Sequence, residues 1–180
     1  MKPLNFSSTL CRCILVSAMA VAPLHAGDIL GRFSCHDIAQ VKTSISIDKE
    51  TTADGNGSIK VEAAHNAVVT VADQKNLSVS KDNTLWCTVK VKCSGVKQRA
   101  YLEMWCEVAD GKRAFSKGLE QLLLGDSDWK EIRLPMMING DFTVNRALVN
   151  VVIEGPGTVW VDQISFAKAK GLSAVYVPES

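Results

Sequence analysis

The sequence has few of the residues, and none of the motifs, that most often carry catalysis. Only three histidines occur in 180 residues, and neither His36 nor His65 has the spacing of an H-E-x-x-H or H-x-x-E-H zinc site. The G-x-S-x-G motif, the phosphate-binding P-loop and the glycine-rich dinucleotide turn are also missing. In 34-SCHD-37, a cysteine, a histidine and an aspartate are adjacent, and neighbouring residues of a strand face opposite sides, so they are not a nucleophile with its base. We therefore expect a protein that is not an enzyme.

The chain also lacks an excess of either charge and, beyond its N-terminus, any long hydrophobic run. Lys and Arg number 20 against 19 Asp and Glu, which gives a formal net charge of +1. Nucleic acids and anionic membranes are usually bound by clustered basic residues, so we expect neither as a partner. No later segment reaches the roughly 20 apolar residues of a membrane-spanning helix. The sequence therefore predicts no membrane insertion once the N-terminal segment is removed.

Residues 1–26 have the pattern of a secretory signal peptide. Lys2 and Arg12 flank the start of an apolar stretch, 13-CILVSAMAVAPL-24, and the small residue Ala26 stands before Gly27. This pattern predicts cleavage after Ala26 and a secreted or periplasmic protein. The remaining residues, 27–180, have the length of a single domain with one buried core.

Six cysteines are present, and two of them lie within the predicted signal peptide. The other four are Cys35, Cys87, Cys93 and Cys106. Four cysteines in an oxidising compartment could form two disulfides in any of three connectivities. They could equally be small core residues, because free cysteine is among the most buried residue types.

Short alternating runs separated by turn residues indicate a protein built from β-strands. Eight strands are predicted, at 41–48, 57–63, 67–73, 84–93, 99–108, 129–138, 147–155 and 158–166. The segment 118–125 fits either a strand or one or two helical turns. Because strands do not alternate with helices, we predict an all-β, antiparallel β-sandwich or barrel. Its predicted core contains Ile59, Val61, Val89, Val91, Leu102, Met104, Val149, Val151, Ile153, Val159 and Val161.

The strands 84–93 and 99–108 are predicted to form a hairpin that reverses around Val96 and Lys97. This register buries both apolar rows and places Cys87 opposite Cys106. The other face of the hairpin then carries three aromatic and three charged side chains: Trp86, Lys90, Tyr101, Glu103, Trp105 and Glu107. Glu103 and Glu107 would have Cα atoms about 13 Å apart, which is too far for the paired carboxylates of a glycosidase. These six residues are the predicted ligand-binding face.

Three motifs resemble the galactose-binding-like jelly rolls, a superfamily of β-sandwiches that includes many carbohydrate-binding modules. The segment 155-GPGTVWVDQISF-166 is similar to the last strand of these domains. The segments 54-DGNGSIKVEA-63 and 128-DWKEIRLPMMI-138 look like an early strand and a later strand, in the same order. The resemblance covers residues 44–166 and implies a jelly-roll β-sandwich, a fold that serves binding, adhesion and structural roles.

The resemblance also implies a place for a structural calcium ion, and no other cofactor. Asp162 matches the aspartate that helps to hold calcium in many of these modules, and Asp48 is a second candidate ligand. Gln163 replaces an acid that many relatives carry, and calcium needs six to eight oxygen ligands. The alternative is that Asp162 only accepts hydrogen bonds at the end of its strand.

Two functions fit these observations. In the first, the aromatic face of the hairpin binds a neutral glycan, because flat rings contact the apolar faces of sugars while charged groups bind their hydroxyls. In the second, the domain is a structural or protein-interaction sandwich whose aromatic face packs on a loop or a partner. The exposure of Trp105 distinguishes them, because a ligand platform has to be open in the free protein.

Overall fold

The computed structural model describes residues 28–35, 45–108 and 111–171, and these residues form nine β-strands. The predicted signal peptide lies outside the described residues, as do His36 and Asp37. No part of the described chain forms a helix with the length and hydropathy of a membrane span. The strands are β1 (Asp28–Phe33), β2 (Ile45–Asp48), β3 (Ser58–Ala63), β4 (Ala67–Gln74), β5 (Asn83–Val108), β6 (Arg113–Lys117), β7 (Leu123–Met137), β8 (Val144–Glu154) and β9 (Gly157–Lys170).

Strand β5 organises the fold, because its 26 residues contribute to both layers. Its first half, residues 83–94, pairs with β9 on one side and with β7 on the other. Its second half, residues 99–108, pairs with β8 and β6. All of these pairings are antiparallel. A single strand therefore leaves one layer at a corner and continues in the other, as bent strands do in sandwiches.

The nine strands form one curled antiparallel sheet that folds into the two layers of a β-sandwich. The first layer contains β2, β3, β9, the first half of β5 and β7, with β1 paired to the end of β9. The second layer contains β4, β8, the second half of β5 and β6. This architecture confirms the predicted antiparallel, jelly-roll class.

The core lies between the two layers and is built from the alternating apolar rows. Every core residue predicted from the sequence is 0–1% exposed. In β5 both halves contribute, since Leu85, Cys87 and Val89 on one side of the corner and Leu102 and Met104 on the other join one cluster. Burial of each such side chain contributes about 1.5–3 kcal/mol to the stability of the fold. The face of each strand that carries the apolar row is therefore the face that packs inside.

The predicted hairpin between residues 84–93 and 99–108 is wrong, because both segments belong to one continuous strand. The chain does not reverse around Val96 and Lys97 as predicted, and Ser94 and Gly95 directly before them form the corner of β5. Gly95 has φ of 62°, and Asp126 of β7 accepts hydrogen bonds from Ser94 Oγ at 2.7 Å and Gly95 N at 2.9 Å. Lys97 N donates to Pro156 O at 3.0 Å. The polar residues that indicated a reversal instead satisfy the backbone where the strand bends.

The cysteines that the structure describes are all buried in the core. Cys87, Cys93 and Cys106 are unpaired thiols. Cys87 and Cys106 were predicted to face each other across the hairpin, but Cys87 lies opposite Leu134 and Cys106 opposite Ala147. Burial raises the pKa of Cys106 to about 12, and burial together with the nearby Cys106 raises the pKa of Cys87 further. These thiols act as small core residues, which is the second of the two roles considered from the sequence.

Strands β1 and β6 were not predicted from the sequence. Both are short, with six and five residues, and their burial alternates only weakly. The ambiguous segment 118–125 contains a turn and then the start of β7 at Leu123. The remaining predicted strands match described strands, with ends that differ by a few residues.

Candidate functional site

The outer face of the second layer carries a pair of aromatic rings in contact with each other. Trp105 of β5 lies opposite Phe115 of β6 and Leu148 of β8. The ring centroids of Trp105 and Phe115 are 5.1 Å apart with an interplanar angle of 38°. Trp105 is partly exposed and Phe115 is 56% exposed. We call these two residues the aromatic strip, because together they present an apolar surface that is bordered by polar side chains.

One side of the strip is organised by a buried carboxylate. Glu103 is only 6% exposed, and its Oε1 atom accepts hydrogen bonds from Trp105 Nε1 at 2.9 Å and Asn150 Nδ2 at 3.0 Å. Lys117 Nζ lies 3.9 Å from Glu103 Oε2, and Thr70 Oγ1 donates to Asn150 Oδ1 at 2.8 Å. The Glu103 carboxylate therefore fixes the orientation of the Trp105 indole.

The other side of the strip is a row of ion pairs that crosses all four strands of the layer. Arg146 of β8 binds both carboxylate oxygens of Asp73, at 2.7 and 2.8 Å, and also Glu107 at 3.2 Å. Arg113 of β6 lies 3.1 Å from Glu107. The hydrogen bond from Arg146 lowers the pKa of Asp73. These groups hold one another in place, so the strip lies between two polar networks with defined positions.

Glu103 and Glu107 do not form a catalytic pair of carboxylates. They lie on either side of Trp105 along β5, and each is engaged in the contacts described above. Glycoside hydrolysis requires two carboxyl groups that flank one glycosidic bond, one as the acid and the other as the base or nucleophile. Glu103 and Glu107 are not arranged in this way. The chemistry available at the strip is contact with apolar ring faces and hydrogen bonding at its margins.

Tyr101 was predicted to be part of the aromatic platform, but the structure buries it. Its side chain is 7% exposed and lies opposite Val152 of β8. The guanidinium group of Arg99 lies 5.9 Å from the ring centroid, and Glu154 holds that guanidinium through contacts of 2.7 and 2.9 Å. Tyr101 therefore supports the sheet next to the strip and offers no open ring face.

Trp86 and Lys90 lie in the first layer, so the structure does not bring them together with the other four predicted residues. Trp86 lies opposite Pro135 and Ala167, and Lys90 opposite Glu131 and Asp162. Because the inner faces of both layers meet in one core, their outer faces point away from each other. The proposed single face with six binding residues is divided by the corner in β5. The Trp86 Nε1 atom is buried without a hydrogen-bond acceptor among the described residues.

Asp162 is buried in the first layer and accepts hydrogen bonds from the backbone. It is 3% exposed; its Oδ2 accepts from Ala53 N at 3.0 Å, and its Oδ1 accepts from Gln163 N at 2.8 Å. Within the described ranges no group of three His, Cys, Asp or Glu side chains is arranged to hold a metal ion. Calcium also takes backbone and amide carbonyl oxygens as ligands, so calcium at Asp162 stays a prediction and has no part in the proposed function.

Asp48, the second candidate calcium ligand, is held by other donors. Its carboxylate accepts hydrogen bonds from the backbone of Thr51 at 3.0 Å and Glu50 at 2.9 Å, and from Trp160 Nε1 at 2.8 Å. The bond from the Thr51 backbone, followed by the bond from Trp160, lowers the pKa of Asp48 to about 2. Asp48 therefore closes the turn after β2 and ties it to β9.

Phe115 and the cations around the strip were not predicted from the sequence. Phe115 occurs in 113-RAFSK-117, which is too short and polar to identify as a strand by alternation alone. Asn150 falls on the predicted strand 147–155 and Arg146 directly precedes it, but only the pairing of β8 with β5 shows that they meet Glu103 and Glu107. The residues that complete the site come from β6 and β8, and a single sequence does not show how these strands pair with β5.

No family model matches the sequence, and no curated protein matches it either. The fold is similar to solved structures of carbohydrate-binding modules. One is the family 22 module described as the xylan-binding domain of Paenibacillus barcinonensis Xyn10C, with 14% identity, a TM-score of 0.53, and coverage of 81% of this chain and 97% of that chain. A second is the Clostridium thermocellum Xyn10B structure of family 22 and xylanase modules complexed with xylohexaose, with 12% identity and a TM-score of 0.54, covering 79% of this chain and 29% of that one.

An arabinose-bound MgGH51 α-L-arabinofuranosidase is similar too, with 9% identity and a TM-score of 0.55. The similar region covers 83% of this chain and 27% of the arabinofuranosidase chain. At these identities the comparisons establish the fold alone. The chain has the jelly-roll β-sandwich fold of carbohydrate-binding modules, which confirms the resemblance inferred from its motifs.

Proposed function

We propose that the protein is a non-catalytic domain that binds a neutral glycan through the aromatic strip of Trp105 and Phe115. The observation that carries this proposal is the pair of adjacent rings, open to solvent at Phe115 and bordered by two polar networks. Sugar rings expose C–H groups that pack on aromatic faces, and their hydroxyls form hydrogen bonds with charged and amide groups at the margins. Contiguous exposed apolar patches rimmed by polar residues often mark ligand or protein interaction sites.

The geometry around Trp105 favours binding because its ring is positioned before a ligand arrives. The hydrogen bond from its indole N–H to the buried Glu103 holds the ring in one orientation. Ordering a mobile side chain on binding costs about 0.5–1.5 kcal/mol, and a fixed ring avoids this loss. In the proposal Tyr101, Glu103 and Glu107 therefore act from beneath and beside the strip, while Trp105 and Phe115 make the apolar contacts.

Xylan fragments are the first neutral glycans to test, because two of the similar structures are described as xylan-binding or xylohexaose-bound. One shallow strip should bind weakly, with dissociation constants on the order of tens of micromolar to millimolar. The signal peptide predicted at residues 1–26 supports the further proposal that this binding takes place outside the cytoplasm. A protein surface is the alternative ligand for the same rings.

Isothermal titration calorimetry with a panel of neutral oligosaccharides, xylohexaose included, tests the proposal. Trp105→Ala and Phe115→Ala should each abolish measurable binding. Leu124→Ala is the matched control, because Leu124 is 57% exposed on β7 and lies away from the strip.

Phe115 is exposed, so its replacement should leave the free energy of unfolding nearly unchanged. Unchanged glycan binding by folded Phe115→Ala, or the absence of binding to every oligosaccharide in the panel, would overturn the proposal. In the second case the strip would belong to a protein partner or to the structure alone.

A further inference from the structure

A concave surface lies on the opposite side of the molecule from the aromatic strip, on the outer face of the first layer. It is a cleft of about 700 Å³ between β1, β9, β5 and β7. Ligand sites usually have volumes of about 300–1,000 Å³. Its polar lining includes Arg32, Thr88, Lys90, Glu131, Asp162 and Ser165. None of the residues of the aromatic strip contributes to it.

Two cations in this cleft have no ionic partner among residues 28–35, 45–108 and 111–171. Lys90 lies opposite Asp162 and Glu131 in the strand register, and Arg32 lies opposite Ser165. Within the described part of the chain, neither the Lys90 ammonium nor the Arg32 guanidinium forms a hydrogen bond or an ion pair. Arg32 is separated from β5 by one strand, so its Cα lies roughly 10 Å from that of Thr88. Both long side chains can reach one ligand in the cleft.

The carboxylates that line the same cleft are already engaged. Glu131 accepts a hydrogen bond from Arg133 Nε at 2.7 Å. The buried Asp162 and the exposed Asp54 accept backbone N–H hydrogen bonds instead. An ammonium and a guanidinium together carry eight N–H donors, and among the described residues no carboxylate of the cleft forms a hydrogen bond with either. These two cations, with the hydroxyls of Thr88 and Ser165 beside them, are therefore the donors available to a ligand.

We propose that this cleft binds an acidic oligosaccharide through a sugar carboxylate held between Lys90 and Arg32. Charge-assisted hydrogen bonds from both cations would supply the specificity for the anion. The Thr88 and Ser165 hydroxyls would bind the hydroxyls of the same sugar, and the exposed Ile29 beside Ala167 provides an apolar wall. The site is separate from the aromatic strip, so the protein would carry two glycan sites of different charge preference.

The shape of β9 at the cleft is consistent with a binding surface. Lys90 pairs with Asp162, while Thr88 pairs with Ser165, so two residues of β9 face one of β5. Gln163, inside this bulge, has φ of 49°, which is unfavourable for a residue other than glycine. Bulges of this kind redirect side chains and are frequent beside binding and active sites.

Calorimetric titration with trigalacturonate, and with its fully methyl-esterified form as the uncharged probe, tests this proposal. Lys90→Met and Arg32→Gln should each weaken trigalacturonate binding at least tenfold, about 1.4 kcal/mol. Lys92→Met is the matched control, since Lys92 is on the same outer face of β5 but pairs with Asp128 at 3.2 Å and does not line the cleft. It should bind like the parent, as should Trp105→Ala.

Three results would overturn the proposal. The first is equal binding of trigalacturonate and its methyl ester. The second is equal weakening by Lys90→Met and Lys92→Met, which would indicate only general electrostatic attraction. The third is no binding of trigalacturonate at millimolar concentration. None of these results bears on the aromatic strip, whose test uses neutral oligosaccharides and different variants.

Discussion

Removal of the Asp162 carboxylate should destabilise the domain strongly without affecting the core. Asp162 is 3% exposed and accepts two backbone N–H hydrogen bonds, from Ala53 at 3.0 Å and from Gln163 at 2.8 Å. A hydrogen bond to a charged group contributes about 1.5–3 kcal/mol. Ala53 is partly exposed, so water can replace part of one bond. We therefore expect Asp162→Ala to lower the free energy of unfolding by about 2–4 kcal/mol.

Asp162→Asn is the matched variant, because its side chain has nearly the same shape. Its one carbonyl oxygen can accept a single backbone N–H, while its NH₂ group faces the other donor. The expected loss is smaller, about 1–2 kcal/mol. Urea unfolding followed by tryptophan fluorescence measures both values, and an unchanged slope with denaturant would indicate that the unfolded state is not altered.

The same titrations, repeated with calcium and with a chelator, separate hydrogen bonding from metal binding. If backbone hydrogen bonds are the function of Asp162, the parent should unfold at the same urea concentration in both conditions. A loss of less than 1 kcal/mol for Asp162→Ala would refute the reasoning above. A chelator effect that disappears in Asp162→Ala would establish calcium as the main partner of this carboxylate.

Two further predictions concern the second layer and acid stability. Glu103→Ala should lower the free energy of unfolding by about 2–4 kcal/mol, because it leaves Trp105 Nε1 and Asn150 Nδ2 without their acceptor. Glu103→Gln should lower it by less than half as much, and equal losses of the two variants in urea unfolding would contradict this. The pKa of Asp48 is lowered from 3.8 to about 2 in the fold, so its contribution is present above pH 4 and is lost as the pH falls towards 2. Because solvent screens this partly exposed carboxylate, its contribution to the free energy of unfolding is about 1–2 kcal/mol. Asp48→Asn should therefore lower the free energy of unfolding at pH 5 but not at pH 2.

Alternation along single strands was sufficient to predict the class of fold and the core. Val89 and Val91, like Leu102 and Met104, occupy every second position, and each is fully buried. This information is local, because a strand with one apolar row has only one face that can be buried. Motifs similar to those of jelly rolls added the order of the strands.

The partners of β5 could not be predicted by the same reasoning. A Ser-Gly pair between two alternating runs fits a hairpin turn and a corner equally well. The decision depends on Asp126, which satisfies Ser94 and Gly95 from a strand 31 residues away. The wrong choice placed Trp86 beside Trp105, although the two rings lie on opposite outer faces.

The candidate site was predicted in part for the same reason. Trp105, Glu103 and Glu107 share one face of β5, as their spacing indicated, and the face is polar at its margins. The burial of Tyr101 depends on β8, whose Asn150 pairs with Glu103 of β5 at a separation of 47 residues. The contribution of Phe115 depends on β6, where Phe115 pairs with Trp105 at a separation of 10 residues. Contacts across the sheet are set by topology, which a single sequence does not display.

The measurement that tests glycan binding at the aromatic strip most directly is a ¹⁵N NMR titration of the four tryptophan indole N–H signals with xylohexaose. Trp105 lies on the strip, whereas Trp86, Trp129 and Trp160 belong to strands of the first layer. We expect the Trp105 indole signal to shift in a saturable way while the other three stay in place. Saturable shifts of another indole without a change at Trp105, or no shift of any indole at millimolar xylohexaose, would contradict binding of this neutral glycan at the strip.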